Sequence, residues 1–420
     1  MADASIAGRF DRMRLARFAD VLVVAVAAAL PWSTSATAIL IVLWLIVLVP
    51  SLNIRDVGRE LTTVAGALPV LLVLLGAVGT LWADVPWLAR WHGLDPLFKL
   101  LAIPLLFAQF RRSNRGLCVF GGYVIACALL LVLSTVISIW PSLWWPRAFE
   151  NYGVPVKNAA TQSGEFVTCI FGLLFLARDF YRRRAWAWLI GVLILALGML
   201  ANVLFIAAGR TALVVMLALL VILAFKTLSG RGVAIFFVGV IALGAIAWFT
   251  SPYLRERTMA IWTDLQKYEA TDKRNSTGER IEFWKKSIAF VREAPLIGHG
   301  TGSIGVLFTR AAVGHTGAAG TPTSNPHNQT FAVAIQLGLI GVCLLWAMWI
   351  AHWLLFRGNG LVEWIGLVVV VQNVVGSLFN SHLFDFVQGW VYVFGVGVAG
   401  GMVLKHLTPD AAAAAPTRSP

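Results

Sequence analysis

The chain has 420 residues, of which 59% are hydrophobic and only 13% charged, and its formal net charge is +13. A soluble domain carries about 25% charged residues, so this composition excludes an ordinary soluble globular protein. The positive charge does not indicate a nucleic-acid partner, because most Lys and Arg stand at the ends of apolar runs instead of forming a basic patch.

Apolar runs of membrane-spanning length follow one another and predict an all-α polytopic membrane protein with about twelve transmembrane helices. In chain order the predicted spans are 18–32, 36–50, 62–82, 97–110, 116–139, 163–178, 186–206, 211–226, 232–250, 328–355, 361–381 and 386–405. The first run resembles a signal peptide, but cleavage at Ala38 would cut into the next run. An uncleaved first span is therefore the better prediction.

The basic residues fall on alternate sides of this arrangement. The segments on the N-terminal side hold Arg9, Arg12, Arg14, Arg17, Arg55, Arg59, Arg111, Arg112, Arg115, Arg178, Arg182, Arg183, Arg184, Lys226, Arg231, Arg357 and Lys405. The short segments on the other side hold only Arg90, Arg147, Lys157 and Arg210. Because Lys and Arg concentrate in cytoplasmic loops, both termini are predicted to be cytoplasmic.

This topology divides the chain into five parts. Residues 1–17 form a cytoplasmic N-terminus, 18–250 hold the first nine spans, 328–405 hold the last three, and 406–420 form a disordered cytoplasmic tail. The external segment 251–327 is too long for a simple connection, so we expect it to fold into a small helical cap with a function of its own.

Nothing in the sequence indicates a metal or cofactor. The four cysteines lie inside apolar runs without CxxC spacing, and the seven histidines show no HxH or HxxxH pair. No DxD motif occurs, which argues against a metal-dependent nucleotide-sugar transferase. The Gly298–Gly302 run follows no strand and precedes no Walker lysine, so it predicts a flexible turn and not a nucleotide site.

Arg210 stands between two apolar segments, where an arginine needs a partner, a water-filled cavity or a ligand. It either snorkels to the membrane interface or captures an anionic headgroup at the outer face.

Arg280 lies in a predicted helix. Ser276 and Glu279 match the capping box, so a helix should begin there with Arg280 in its first turn. An arginine beside a helix N-terminus is suited to phosphate, although a surface pair with Glu279 is the open alternative. The helix would use one apolar face to lie on the membrane or the bundle, formed by Ile281, Trp284, Ile288 and Val291.

His327 precedes span ten. Asn325 can cap that helix and Pro326 suits its first position, which would put His327 in the first turn. The helix dipole there disfavours imidazolium, so the ring should be neutral at pH 7 and able to accept a proton. A purely structural capping histidine is the alternative.

Asp385 lies in the outer turn between spans eleven and twelve. It either orients His327 or an arginine, or is an ordinary loop carboxylate. His382 could form a metal pair with it, but no third ligand is evident. Two arginines, a neutral histidine and an aspartate are thus all predicted on one side of the bilayer, which suits a pyrophosphate and removal of a hydroxyl proton.

These features together resemble the O-antigen ligases, which share a superfamily with O-antigen polymerases and protein O-oligosaccharyltransferases. The resemblance is carried by the twelve-span layout with one long external loop and by Gly209-Arg210, Gly278-Glu279-Arg280 with Phe283-Trp284, the Pro295–Gly302 stretch, and Pro326-His327-Asn328 ahead of Leu337–Gly341.

The resemblance implies an inverting, metal-independent glycosyltransferase of a bacterial inner membrane that needs no cofactor. It would move a glycan from undecaprenyl pyrophosphate to lipid A–core at the periplasmic face. Arg210 and Arg280 would hold the pyrophosphate, His327 would be the general base, and Asp385 would support the site.

Several alternatives stay open. Arg90, Arg147 and Lys157 are plausible secondary contacts to phosphates or core, but no motif supports them. A transporter or flippase could use the same basic residues to bind an anionic lipid. The polymerase and protein-transferase branches share the donor, whereas the short tail after span twelve argues against a protein acceptor.

Overall fold

The computed structural model describes residues 2–143, 153–271 and 274–406, and of these the side chains from residue 12 to 268 and from 274 onward. Arg147 and the predicted tail lie outside the described residues, apart from His406, which ends the last helix.

The described chain is helical and contains no strand. Its helices are α1 (Ala2–Ala29), α2 (Thr34–Ser51), α3 (Ile54–Leu61), α4 (Val64–Gly79), α5 (Trp87–Phe98), α6 (Ala102–Phe110), α7 (Gly116–Ile139), α8 (Ala159–Arg182), α9 (Trp186–Phe205), α10 (Arg210–Thr227), α11 (Gly230–Thr250), α12 (Pro252–Thr271), α13 (Ser276–Glu293), α14 (Ser303–Ala312), α15 (Gln329–Leu355), α16 (Leu361–Gly376) and α17 (Phe386–His406). A 3₁₀ turn, Lys99–Leu101, joins α5 to α6, and another follows α7 at Pro141–Leu143.

Within the described ranges, nine spans are long and apolar enough to cross a bilayer: α2, α5 with α6, α7, α8, α9, α10, α11, α15 and α17. A tenth arises if α3 and α4, bent by 89°, count as one. The predicted polytopic helical class is confirmed. Each of the twelve predicted spans coincides with a helix, but α1 carries too many charges and α16 is too short to meet the same criterion. The number twelve and the orientation therefore remain predictions.

Small residues allow close packing inside the bundle. A Cβ added at Gly401 of α17 would lie 3.0 Å from the carbonyl oxygens of Leu106 and Phe107 in α6. Such contacts bring helix backbones together where the lipid supplies no hydrophobic drive for association. A buried polar chain adds specificity, because Gln109 of α6 accepts from the Trp44 indole at 2.8 Å and donates to Asp20 at 2.9 Å.

The described residues of the segment 251–327 form three helices, α12, α13 and α14. Helix α13 begins at Ser276 as predicted, but its N-cap is Asn275, whose Oδ1 accepts from the backbone N–H groups of Thr277 and Gly278 at 3.2 and 2.8 Å. An asparagine caps at least as well as a serine, so the cap moves one residue earlier.

The most buried side of α13 differs from the predicted apolar face. Its buried residues are Gly278, Phe283, Ser287 and Phe290, whereas Ile288 of the predicted face is exposed. Phe308 of α14 explains the difference, because the rings of Phe283 and Phe290 pack edge-on against it at 5.6 and 5.2 Å. Helix α13 thus turns its aromatic side towards α14 and α15.

The Gly298–Gly302 run forms a turn, as expected, and is tied to α15. Helix α15 is broken at Gly338, where φ is +61°. The N–H groups of His299 and Gly300 donate to the carbonyls of Ile335 and Gln336 at 2.8 and 2.9 Å. The break in α15 therefore exposes carbonyls that fix the segment 251–327 onto the bundle.

Candidate active site

Arg210 is the first residue of α10, and Gly209 is its N-cap. The Arg210 guanidinium points towards α12: Nε donates to the Arg257 carbonyl at 3.1 Å, and Nη2 lies 3.9 Å from the Asp264 carboxylate. A quarter of the side chain is exposed. Arg210 thus faces the external helices, and its charge is only loosely paired.

Arg280 lies in the first turn of α13, half-buried and close to Arg210. Burial lowers the pKa of Arg280, and the positive charge of Arg210 lowers it further. Pairing with Glu279 does not occur, because the Glu279 carboxylate accepts from Arg274 Nε at 2.5 Å. Among the described residues no carboxylate pairs with Arg280. Two like charges held together in this way create a site for an anion.

His327 does not lie in the first turn of α15, which corrects the prediction. The helix begins at Gln329, and its N-cap is Asn328, whose Oδ1 accepts from the Phe331 N–H at 3.1 Å. His327 precedes the helix with φ +53°, a conformation that costs energy in any residue with a Cβ. Asn325 is not the cap; its Oδ1 accepts from the His327 N–H at 2.8 Å and holds this bend.

The His327 ring is half-buried and stacks on Phe283 at 5.9 Å and 11°. Burial lowers the pKa of the imidazole, and the nearby charge of Arg280 lowers it further. Both effects favour the neutral ring, through the surroundings of His327 and not through a helix dipole. Nδ1 lies 3.0 Å from Asn380 Oδ1, and among the described residues no group bonds to Nε2. A lone pair on Nε2 would be available to a substrate.

Asp385 reaches His327 only through Asn380, whose Nδ2 donates to the Asp385 carboxylate at 2.7 Å. Burial raises the pKa of Asp385 to about 6, against the opposing effect of the Lys99 ammonium. Asp385 is thus placed to act on the histidine and not on the arginines.

Lys99 was missed in the sequence. Its ammonium group, in the 3₁₀ turn between α5 and α6, donates to the carbonyls of Phe384 and Asp385 at 3.2 and 2.8 Å. The available signal was a lysine inside the predicted span 97–110, where a buried charge is costly and marks a function. Asn325 and Asn380 carried no comparable signal, because asparagines in loops are common.

Two of the three secondary candidates, Arg90 and Lys157, make internal contacts. Arg90 donates to the carbonyls of Thr80 and Val85 at 2.9 and 3.0 Å, which closes the turn after α4. Lys157 donates to the Leu30 carbonyl and lies 3.6 Å from the buried Glu165 carboxylate. The geometry does not bring either side chain to the arginine pair.

The metal pair considered for His382 and Asp385 gains no third ligand among the described residues. The buried Nδ1 of His382 has no hydrogen-bond partner within the described chain. Nowhere in the described ranges do three His, Cys, Asp or Glu side chains gather so as to hold a metal ion.

Comparison with known proteins supports a family for this arrangement. Residues 199–346, which include Arg210, Arg280 and His327, match the family described as O-antigen ligase, and the resemblance drawn from the motifs is confirmed. An uncharacterized protein of Haemophilus influenzae is 24% identical over 259 residues. That alignment covers 60% of this chain, and the chain spans 62% of the length of the relative.

Proposed function

We propose, from the O-antigen ligase domain over residues 199–346, that this multi-pass membrane protein is an inverting glycosyltransferase. It transfers a glycan from undecaprenyl pyrophosphate to a sugar hydroxyl of lipid A–core at the periplasmic face of the inner membrane. The proposal rests on one observation: acidic side chains among the described residues do not fully neutralise Arg210 and Arg280, and a histidine whose surroundings favour its neutral form lies near Arg280.

The arginine pair suits the pyrophosphate of the donor. Arg280 has a planar fork that can bind two phosphoryl oxygens, and it needs to break no ion pair to do so. Arg210 adds a second charge from the start of α10. When the glycosidic C–O bond breaks, negative charge develops on the pyrophosphate, so fixed positive groups stabilise the transition state without a metal ion.

His327 suits the acceptor. Nε2 takes the proton of the acceptor hydroxyl while the hydroxyl oxygen forms a bond to the anomeric carbon. The pair of electrons in the old C–O bond leaves with undecaprenyl pyrophosphate, and attack from the opposite side inverts the anomeric centre. The Phe283 stack and Asn380 hold the ring for this step.

The test of this function is turnover by the purified protein in detergent, mixed with lipid-linked glycan and rough lipopolysaccharide. We expect the glycan to become attached to the lipopolysaccharide. A protein that only transports lipid would form no product in the absence of a membrane, and that result would refute the proposal.

The O-antigen polymerase is the second candidate, since the family match covers the superfamily that both activities share. The basic residues of the segment 251–327, among them Arg255, Lys285 and Lys286, would suit a phosphorylated core and therefore favour the ligase. Deletion of the gene distinguishes the two activities. A ligase deletion leaves lipid-linked polymer intact but unattached, whereas a polymerase deletion leaves single repeats on the core.

A further inference from the structure

The neighbours of His327 determine which of its ring nitrogens carries the proton, through a chain of hydrogen bonds that begins at a backbone N–H group. A backbone N–H can only donate, so the atom of Asn325 that meets the His327 N–H at 2.8 Å must be its oxygen. The Ser381 hydroxyl donates to that same oxygen at 2.8 Å. The amide nitrogen of Asn325 therefore faces the other way.

That nitrogen determines the orientation of Asn380. Asn325 Nδ2 lies 2.9 Å from Asn380, and because it can only donate, the facing atom of Asn380 must be Oδ1. The remaining amide group of Asn380, Nδ2, then points to the Asp385 carboxylate at 2.7 Å, which is an acceptor when ionised. Both ends of Asn380 agree on one orientation.

The oxygen of Asn380 in turn determines which nitrogen of the His327 ring is protonated. Asn380 Oδ1 lies 3.0 Å from His327 Nδ1, and an amide oxygen only accepts, so in the neutral ring the proton must be on Nδ1. The lone pair is then on Nε2, the nitrogen without a partner in the described chain. Lys99 fixes the last residue of this hydrogen-bonded chain, because its ammonium group donates to the Asp385 carbonyl.

We propose that Asn325 and Asn380 are positioning residues that fix the proton of His327 on Nδ1, so that Nε2 is the atom that receives the proton of the acceptor hydroxyl. The inference rests on the proposed transfer reaction. After that proton transfer both ring nitrogens carry hydrogen, and Asn380, oriented by Asp385, stabilises the positive ring.

The test uses the full-length protein with three changes. Asn380→Leu removes the acceptor at Nδ1, and we expect kcat to fall by about 100-fold or more, within the 10²–10⁴ range of general-base catalysis, while the KM for the donor stays constant. Asn380→Asp alone places two carboxylates together and should also be impaired. The double variant Asn380→Asp with Asp385→Asn restores every hydrogen bond with the charge moved next to the ring.

The double variant gives the decisive measurement. Its kcat should be at least tenfold higher than that of Asn380→Asp. The pH at which its activity falls on the acid side should be higher than in the wild-type protein. The reason is that a carboxylate against Nδ1 favours imidazolium, which cannot act as a base. The other charges facing the ring, Arg280 and Glu279 from α13, are unchanged. Recovery without this pH shift would reduce Asn380 to a packing role and overturn the proposal.

A second measurement does not depend on activity. In protein with ¹⁵N-labelled histidine, the neutral ring of His327, identified by comparison with His327→Gln, should show a protonated Nδ1, and Asn380→Leu should shift it towards protonated Nε2. A wild-type ring protonated on Nε2 would refute the inference even if transfer occurs. If transfer fails but Nδ1 is protonated, only the proposed function is lost.

Asn373→Leu is the matched control. Asn373 is a buried asparagine of α16 whose amide atoms have no hydrogen-bond partner among the described residues. The same substitution there therefore removes no hydrogen bond of the side chain. We expect this variant to keep wild-type kcat and pH dependence. A comparable loss in Asn373→Leu would show that buried Asn→Leu changes damage the bundle in general, which would overturn the specific role of Asn380.

Discussion

The substitution Arg280→Lys tests whether Arg280 acts only through its positive charge or also through its planar guanidinium group. Lysine keeps the positive charge in the first turn of α13 but presents a single ammonium in place of the guanidinium fork. Since no described carboxylate pairs with Arg280, the substitution breaks no ion pair within the protein, and its cost should fall on the bound pyrophosphate. We therefore expect a large loss of activity without a loss of stability.

The size of the effect follows from the bonds at risk. A hydrogen bond between charged groups contributes about 1.5–3 kcal/mol, and a bidentate contact contains two of them. The loss of one to two such bonds lowers kcat/KM by about 10- to 10⁴-fold, at about 1.4 kcal/mol for each factor of ten. Arg280→Met removes the charge as well and should lie at the far end of this range.

Stability should move in the opposite direction. Arg210 repels Arg280, so Arg280→Met relieves a like-charge interaction and should leave the Tm of the protein without substrate unchanged or slightly higher. Thermal melts in detergent and transfer rates measured on the same preparations test both statements. Arg292→Lys, at the exposed last turn of α13, is the control and should change neither. Full activity of Arg280→Lys would reduce the arginine to a diffuse positive charge, and a large drop in Tm would give it a structural role.

Two further predictions concern the base and the metal. His327→Gln should lower the transfer rate by about 10²–10⁴-fold, because it removes the general base, while binding of labelled donor persists; a near-normal rate would exclude His327 from the mechanism. EDTA should leave the rate unchanged, since Arg210 and Arg280 supply the positive charge; loss of activity in EDTA with recovery in Mg²⁺ or Mn²⁺ would contradict this reasoning.

Hydropathy predicted the class of this protein well, and a physical reason explains why. A bilayer demands long apolar helices, so each span leaves a continuous signal that needs no knowledge of its neighbours. Helix α7, Gly116–Ile139, coincides with the predicted span 116–139. Hydropathy does not reveal where a helix is broken within a span. Lys99 begins a 3₁₀ turn inside one predicted span, and Gly338 interrupts the helix of another.

The site was harder to predict than the fold, because its geometry depends on distant contacts. The four principal residues were predicted from charge, residue type, local capping motifs and the family resemblance, and their roles stay predictions. The conformation of His327 was not, since a helix starting at Pro326 satisfies local rules as well as one starting at Gln329. What decides between them is the hydrogen bonding of Asn325 to the 380–381 loop, more than fifty residues away.

The electrostatic effect of Arg280 on His327 leads to a last prediction. Burial and then the charge of Arg280 lower the pKa of His327. A bound pyrophosphate would offset that charge, so the pKa of His327 should rise when the donor is bound and the histidine should become the stronger base only then. Activity requires the neutral ring and is lost as the pH falls through its pKa.

The two pH profiles report two states, because kcat/KM follows the free enzyme and kcat follows the substrate complex. The acid limb of kcat should therefore lie at higher pH than the acid limb of kcat/KM. In Arg280→Lys, with weaker contact to the phosphates, the separation should shrink. Coincident limbs in the wild-type protein would mean that bound pyrophosphate does not reach Arg280, and the arginine pair would then need another ligand.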